Sequence, residues 1–223
     1  MSQPPAAWGA STEDWNGVLR YGPVVADETT LRLCGPLAGK KVLVLGCGAG
    51  QAPVELARAG ARVVGVEPSP TRVEAARSRC TAAEVAVELH RLDLAELAFV
   101  RADTIDLAFS AMQLCGVADP TRVFRQLHRV LRPDAALVCS LPHPALALTT
   151  DGPKARYAPT TPRPWTSGSE RGEDHGHTLG ALVTAFVRTG FRLDTLHELP
   201  TDTAVPTVVV LRARKIGALT VNG

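Results

Sequence analysis

The apolar positions of this chain fall into two rhythms. Short continuous apolar runs alternate with stretches in which apolar residues recur every three or four positions, the pattern of buried strands separated by amphipathic helices. Val42-Leu43-Val44-Leu45 is a run of the kind a strand covered on both faces needs. Pro53, Leu56 and Ala57 carry a helix that ends at Gly60, with the proline in the first turn, where a missing N–H costs little. Arg62 to Val66 reads as a second strand. Ser69-Pro70 is an N-cap followed by proline at the first helical position, opening a helix to about Cys80. Val85 to Leu89 and Ile105 to Ser110 are further strands. Asp119-Pro120 opens the clearest helix, in which Val123, Phe124, Leu127, Val130 and Leu131 share one face and Arg132-Pro133 makes the stop. His128 falls near its exposed face and reads as surface. Thr178 caps a helix from Leu179 to Thr189 that Gly190 ends, and Phe191 to Leu199 and Thr207 to Ala213 are the last strands. Alternating strands and helices imply an α/β architecture around a parallel sheet.

Two regions fall outside the alternation. Residues 1 to 10 are expected to be disordered, Trp15 to Tyr21 is short and partly apolar, and Asp27 caps a short helix through Leu33 that Gly35-Pro36 ends. Residues 142 to 177 are rich in Pro, Gly, Thr and charge, and a loop of that length in a compact domain is usually functional or disordered. It leaves the sheet beside the predicted ligand, so it is expected to be a substrate lid carrying Tyr157, Arg163, Trp165 and Arg171. The expected organisation is an N-terminal helical segment, 1–36, and one domain, 37–223, with a lid-like insertion at 142–177.

Composition narrows the field. The 223 residues suit a single α/β domain, and 45% hydrophobic content is enough for a full core. A net charge of +2 gives no reason to expect nucleic acid or an anionic membrane as partner. The five cysteines are scattered without metal-site spacing, which points to reduced thiols and a cytoplasmic protein. No secretory leader and no apolar run of about 20 residues is visible. The expectation is a monomer or homodimer acting on a small molecule.

The candidate chemistry sits in KKVLVLGCGAGQAPVELARAGARVVGVEPS, residues 40 to 69. Gly46, Gly48 and Gly50 follow the first strand, where residues without a Cβ let a ligand approach the backbone. The N–H groups of such a turn and of the helix after it can hold an anion. Glu67 closes the second strand about 20 residues on, where a carboxylate can accept both hydroxyls of a ribose. The spacing G-x-G-x-G, with Gln51 next, argues against a dinucleotide.

This segment resembles motif I and the following acidic motif of the class I S-adenosylmethionine-dependent methyltransferases. The stretch FRQLHRVLRPDAALVCSLPHP resembles that family's helix, turn and fifth strand, with Asp134-Ala135 where a glycine pair is usual. The resemblance implies a Rossmann-like three-layer α/β sandwich. Its sheet would have seven strands, mostly parallel, with the last antiparallel and inserted between the fifth and sixth. It implies S-adenosyl-L-methionine as cofactor, S-adenosyl-L-homocysteine as product and no metal. In that family the glycine turn holds the methionine part and the acid holds the ribose, which assigns Gly46, Cys47, Gly48, Gln51, Glu67 and Pro68 to the cofactor. An acid after the third strand binds the adenine amine and the next apolar residue touches the ring, which assigns Asp93 and Leu94; Asp93 also reads as a cap for a helix from Leu94 to Phe99. Ser110 and Met112, with Gln113, fall at the carboxyl edge of the fourth strand near the sulfonium. N-terminal segments of the family pack over the site, so Tyr21 and Trp15 either line it or anchor the segment to the core. The family usually has an acid where this chain has Val44, to help hold the methionine amino group; Asp27, Glu28 and Gln51 are the candidates to replace it.

Methyl transfer asks the protein to align a nucleophile and take its proton. His143, directly after the fifth strand between Pro142 and Pro144, is the first candidate base, followed by His175 and His177; each can equally be structural. Asp174, His175 and His177 match no common metal spacing. Neither a G-x-S-x-G elbow nor an H-E-x-x-H helix is present, so hydrolysis has no support. The expected activity is methyl transfer to an O, N or C nucleophile of a small molecule. The alternatives are a cofactor-binding protein doing non-methylating chemistry such as cyclisation and, more remotely, a nicotinamide-dependent oxidoreductase.

Overall fold

A computed structural model describes residues 15–150, 157, 161–167, 170–200 and 205–217. The expectation of disorder at residues 1 to 10 lies outside them. The elements in order are α1 (Glu28–Leu31), β1 (Lys41–Leu45), α2 (Gln51–Arg58), β2 (Arg62–Val66), α3 (Pro70–Ala82), β3 (Val87–His90) and β4 (Ile105–Ala111). A 3-10 turn, Leu114–Gly116, precedes α4 (Pro120–Val130) and β5 (Leu131–Pro142). Then come α5 (Leu146–Thr150), β6 (Arg163–Ser167), β7 (Glu170–Asp174), α6 (Leu179–Arg188), β8 (Phe191–Pro200) and β9 (Pro206–Lys215).

Seven strands form one sheet in the order β3-β2-β1-β4-β5-β9-β8. All are parallel except β9, which runs antiparallel to both β5 and β8. The order reverses between β1 and β4, and a crevice opens at such a point over the carboxyl ends of the strands. This is the Rossmann-like three-layer architecture that the resemblance implies. Both faces of the sheet are covered, as the apolar run in β1 requires: Leu43 and Leu45 join the core under α4 and α6, while Val42 and Val44 join the core under α2 and residues 15–37. In the first core Phe124 of α4 and Phe186 of α6 stack at 4.4 Å between centroids, with Phe191 edge-on at 6.5 Å.

The local signals act as their chemistry dictates. Ser69 accepts from Arg72 N, Asp119 from Thr121 N and Thr178 from Ala181 N, so each helix start satisfies one orphan N–H. Asp134 lies at φ 62°, the left-handed region that aspartate enters more readily than most residues, in place of a glycine. Four expectations need correction. Residues 94–99 form turns, not a helix: Asp93 Oδ1 accepts from Ala95 N at 2.9 Å, and Arg129 of α4 ties down the carbonyls of Leu97 (2.6 Å) and Val100 (2.9 Å). The N-terminal segment is helical only over Glu28–Leu31 among its described residues. His128 is half-buried, edge-on to Phe191 at 5.6 Å. The stretch 142–177 is not a plain loop, since β6 and β7 pair as an antiparallel hairpin and α5 precedes them.

Candidate functional site

The glycine turn is built from its own hydrogen bonds. Gly46 N and Cys47 N both donate to Val66 O, at 2.8 and 3.1 Å, and Gly50 N donates to Cys47 O at 3.0 Å. Gly48 N donates to Glu67 Oε2 at 2.9 Å. Gly46 has φ 65°, and a Cβ there would sit 2.4 Å from Cβ and Cγ of Gln113. The turn needs glycine at that point both for the backbone angle and for the close approach of Gln113.

Glu67, 2% exposed at the tip of β2, is held at both oxygens. Oε2 takes the Gly48 N–H, and Oε1 takes the Ser69 N–H at 3.1 Å. Arg72, in the first turn of α3, brings Nη1 to 4.0 Å from Glu67 Oε1 and 3.1 Å from Gln113 Oε1. The guanidinium lies 5.5 Å over the Trp165 ring. Gly46, Glu67, Pro68, Arg72, Asp93, Leu94, Met112, Gln113, Trp165, Arg171 and Glu173 line one cleft of about 550 Å³. A second, small chamber of about 20 Å³ lies across Gln113, walled by Trp15, Gly46, Cys47, Gly48, Gln51, Ala52 and Ala111. A larger open groove of about 1140 Å³ runs beside β3 to the start of β2, far from the glycine turn; its size reflects an uncovered sheet edge, not a built site.

The hairpin β6–β7 forms the outer wall of the cleft. Trp165 stands opposite Gly172 in the ladder, and a Cβ at 172 would fall 2.3 Å from the indole, so glycine makes the seat for the ring. Arg163 pairs with buried Asp174 at 2.6 Å, and Asp174 Oδ1 takes the Gly176 N–H at 2.8 Å. The chain then docks on the 3-10 turn: His175 N donates to Cys115 O at 2.9 Å, and His177 Nε2 donates to Val117 O at 2.7 Å. A carbonyl only accepts, so His177 carries its proton on Nε2. Burial pushes its pKa down. The His175 ring stacks on His177 at 6.2 Å, with Nε2 4.0 Å from Glu173 Oε2. Tyr157 is exposed, whereas Trp165 and Arg171 face the cleft.

His143 sits where expected, at the carboxyl end of β5, but it is 3% exposed. Nδ1 accepts from Ala145 N at 3.1 Å, so Nε2 bears the proton and donates to Glu198 Oε1 at 2.8 Å. Both nitrogens are engaged. Two expected cofactor contacts lie elsewhere. Tyr21 is fully buried against Phe109, its hydroxyl donating to Glu28, and desolvation raises its pKa. Ser110 is fully buried and donates to Leu45 O at 2.9 Å, tying β4 to β1. Asp27 is committed to capping α1, and Glu28 accepts from Leu33 N, Cys34 N and Tyr21, so neither faces the cofactor cleft. Arg72 was not anticipated: it lies five residues past Glu67, and only the fold of the first helical turn brings it back over the carboxylate.

Among the described residues no three His, Cys, Asp or Glu side chains are grouped to hold a metal, and no helix is long and apolar enough to cross a membrane.

A buried carboxylate at the end of β2 thus stands beside the glycine turn after β1, next to the point where strand order reverses. Residues 43–139 match the family model described as a methyltransferase domain. A ubiquinone biosynthesis O-methyltransferase of Hahella chejuensis (strain KCTC 2396) is 36% identical over 133 residues, 60% of this chain and 55% of that protein. The chain spans about half the length of the curated relatives it matches. An S-adenosylmethionine dependent methyltransferase from Mesorhizobium loti superposes with a TM-score of 0.64 at 24% identity, over 81% of this chain and 93% of that one. The magnesium protoporphyrin IX methyltransferase of Synechocystis PCC 6803, solved with bound SAH, gives a TM-score of 0.63 at 21% identity, over 81% and 76%. The chain thus shares its fold with S-adenosylmethionine-dependent methyltransferases, and residues 43–139 carry the similarity in sequence.

Proposed function

We propose that this protein binds S-adenosylmethionine in the 550 Å³ cleft and methylates an oxygen nucleophile of a small molecule. The observation that carries the reading is Glu67. Its carboxylate is fixed by two backbone N–H groups at the mouth of the glycine turn, and it lines the cleft at the tip of β2. That arrangement fits a ribose diol. Asp93 keeps Oδ2 for the adenine amine while Oδ1 is used in its own turn, and Leu94 offers an apolar face to the ring. When bound, the cofactor supplies a sulfonium-activated methyl group.

With the adenosine over β2 and β3, the acceptor is left the side of β4, β5 and the hairpin. None of the three candidate bases is among the described residues that line the cleft, but His175 follows the cleft-lining Glu173 by two residues and has the freest ring, with no ring hydrogen bond to the described residues. We assign it the proton acceptor. His143 and His177 hold their positions through hydrogen bonds on Glu198 and Val117 and read as positioning groups. Oxygen as the nucleophile follows the O-methyltransferase relative. The commitment of the turn's N–H groups to Val66, Cys47 and Glu67 leaves little to cradle a diphosphate, which speaks against a nicotinamide dinucleotide.

Calorimetric titration with S-adenosylhomocysteine tests the cofactor site. Saturable binding is expected, weakened about tenfold or more in Glu67→Gln, as for the loss of a charged hydrogen-bond acceptor. No binding by the wild type, or equal binding by the variant, overturns the assignment.

A further inference from the structure

The two chambers of the site differ in charge and in open valence. The large one holds Glu67, Arg72, Asp93, Arg171 and Glu173. The small one, at the glycine turn, is walled by neutral side chains. Among the described residues its one ionisable group, the Cys47 thiol, is kept neutral by burial, with the nearby Glu67 carboxylate adding to the effect. The turn's backbone is no freer: the N–H groups of Gly46, Cys47, Gly48 and Gly50 all have acceptors within the protein. Among the described residues, a zwitterionic amino-acid tail placed there would find neither a carboxylate lining the chamber for its ammonium nor these donors for its carboxylate. Room is lacking too, since about 20 Å³ is roughly the space of one water.

Gln113 is the partition. It lines both chambers, and its stem lies against Gly46 closely enough that a Cβ there would be 2.4 Å away. Met112, just before it, has φ 62°, a region that unbranched residues other than glycine enter at a cost, and this turns the chain so that Gln113 crosses the glycine turn. Arg72 then holds the Gln113 carboxamide at 3.1 Å.

We infer that the cleft is a 5′-thioadenosine site whose affinity resides in the adenosine half, with Gln113 shutting the amino-acid tail out of the glycine turn. This rests on the cofactor reading above and specifies which part of the cofactor is recognised. It follows that 5′-thioadenosines with a shortened or altered tail bind nearly as well as the full molecule.

Calorimetry on the full chain with S-adenosylhomocysteine and 5′-methylthioadenosine tests this. The expected dissociation constants agree within about tenfold, because one charge-assisted hydrogen bond to the tail would by itself exceed that. Gln113→Ala opens the partition and is expected to shift preference toward S-adenosylhomocysteine. A wild-type preference for S-adenosylhomocysteine beyond about tenfold overturns the inference and leaves the cofactor reading standing. So does a Gln113→Ala variant that loses S-adenosylhomocysteine and keeps 5′-methylthioadenosine, since Gln113 would then be a ligand of the tail. Binding of neither compound by the wild type removes the cofactor reading and the inference together.

Discussion

Glu67 serves the protein before it serves a ligand, because its two oxygens accept the Gly48 and Ser69 N–H groups and so fix the mouth of the turn. Alanine there would leave two donors without their partner, at about 1–3 kcal/mol each if water cannot reach them. Glutamine keeps a carbonyl acceptor, and for that reason it is the informative substitution. Tyr21 shows the opposite case, a residue that reads as a site residue and belongs to the core. Its partners are Glu28, Phe109 and, through its carbonyl, the Ser140 hydroxyl. Tyr21→Phe is expected to cost about 1 kcal/mol, the net worth of one hydrogen bond, and to leave S-adenosylhomocysteine affinity unchanged. Urea unfolding and calorimetry read the two effects separately, and a weakened affinity at full stability would return Tyr21 to the site. Sequence could not separate these roles, since an N-terminal aromatic has the same pattern whether it caps a cleft or a core. Ser140 lies 119 residues away and only the finished sheet brings it to Tyr21. The same holds for Arg72, whose relation to Gln113 spans 41 residues. Glu67, by contrast, was legible because strand, glycine turn, helix and strand form one local unit, so the spacing itself carries the geometry.

At the scale of elements, the strands of β1, β2, β4 and β9 and the caps of α3, α4 and α6 were readable because each depends on neighbours in sequence: an apolar run, or a hydroxyl or carboxylate three residues or fewer from the N–H it accepts. The hairpin β6–β7 was not. Arg163–Ser167 and Glu170–Asp174 have little apolar alternation, and what holds them is tertiary: the Arg163–Asp174 pair, the docking of His175 and His177 on the 3-10 turn, and Trp165 between Gly172 and Arg72. A Cβ at position 172 forces the indole from its seat, an overpacking that costs about 1–3 kcal/mol. Gly172→Ala is therefore expected to raise amide hydrogen exchange in residues 163–174 by about tenfold or more, with β1 unchanged. Unaltered exchange in the hairpin would mean that the Trp165 seat contributes nothing to its order.

For the whole molecule, two half-buried imidazoles tie separate parts of the fold together and make stability depend on pH. His177 joins the segment after the hairpin to the 3-10 turn, and His128 packs α4 on Phe191 at the start of β8. Burial lowers both pKa values from the ordinary 6.5; for His128 the Lys215 ammonium adds to the effect, and for His177 the accepting Val117 carbonyl works against it. The sign follows from proton uptake. As pH falls through 6.5 the unfolded chain protonates these rings first, so the unfolded state binds more protons and gains on the folded one. Their contribution is therefore fully present above pH 6.5 and is lost as pH falls toward the lowered folded values. Among the described residues the one carboxylate with a lowered pKa, Asp194 held down by Arg214, acts below its ordinary 3.8 and so falls outside this window. Thermal melts at pH 7.5, 6.5 and 5.5 are expected to show a falling midpoint in the wild type. In His128→Gln/His177→Gln the slope becomes shallower, while the amide at 177 still donates to Val117 O and keeps the pH 7.5 midpoint close to that of the wild type. An equal slope in the double variant would assign the loss to other groups and would mean that these two rings stay neutral, or stay charged, in both states across the range.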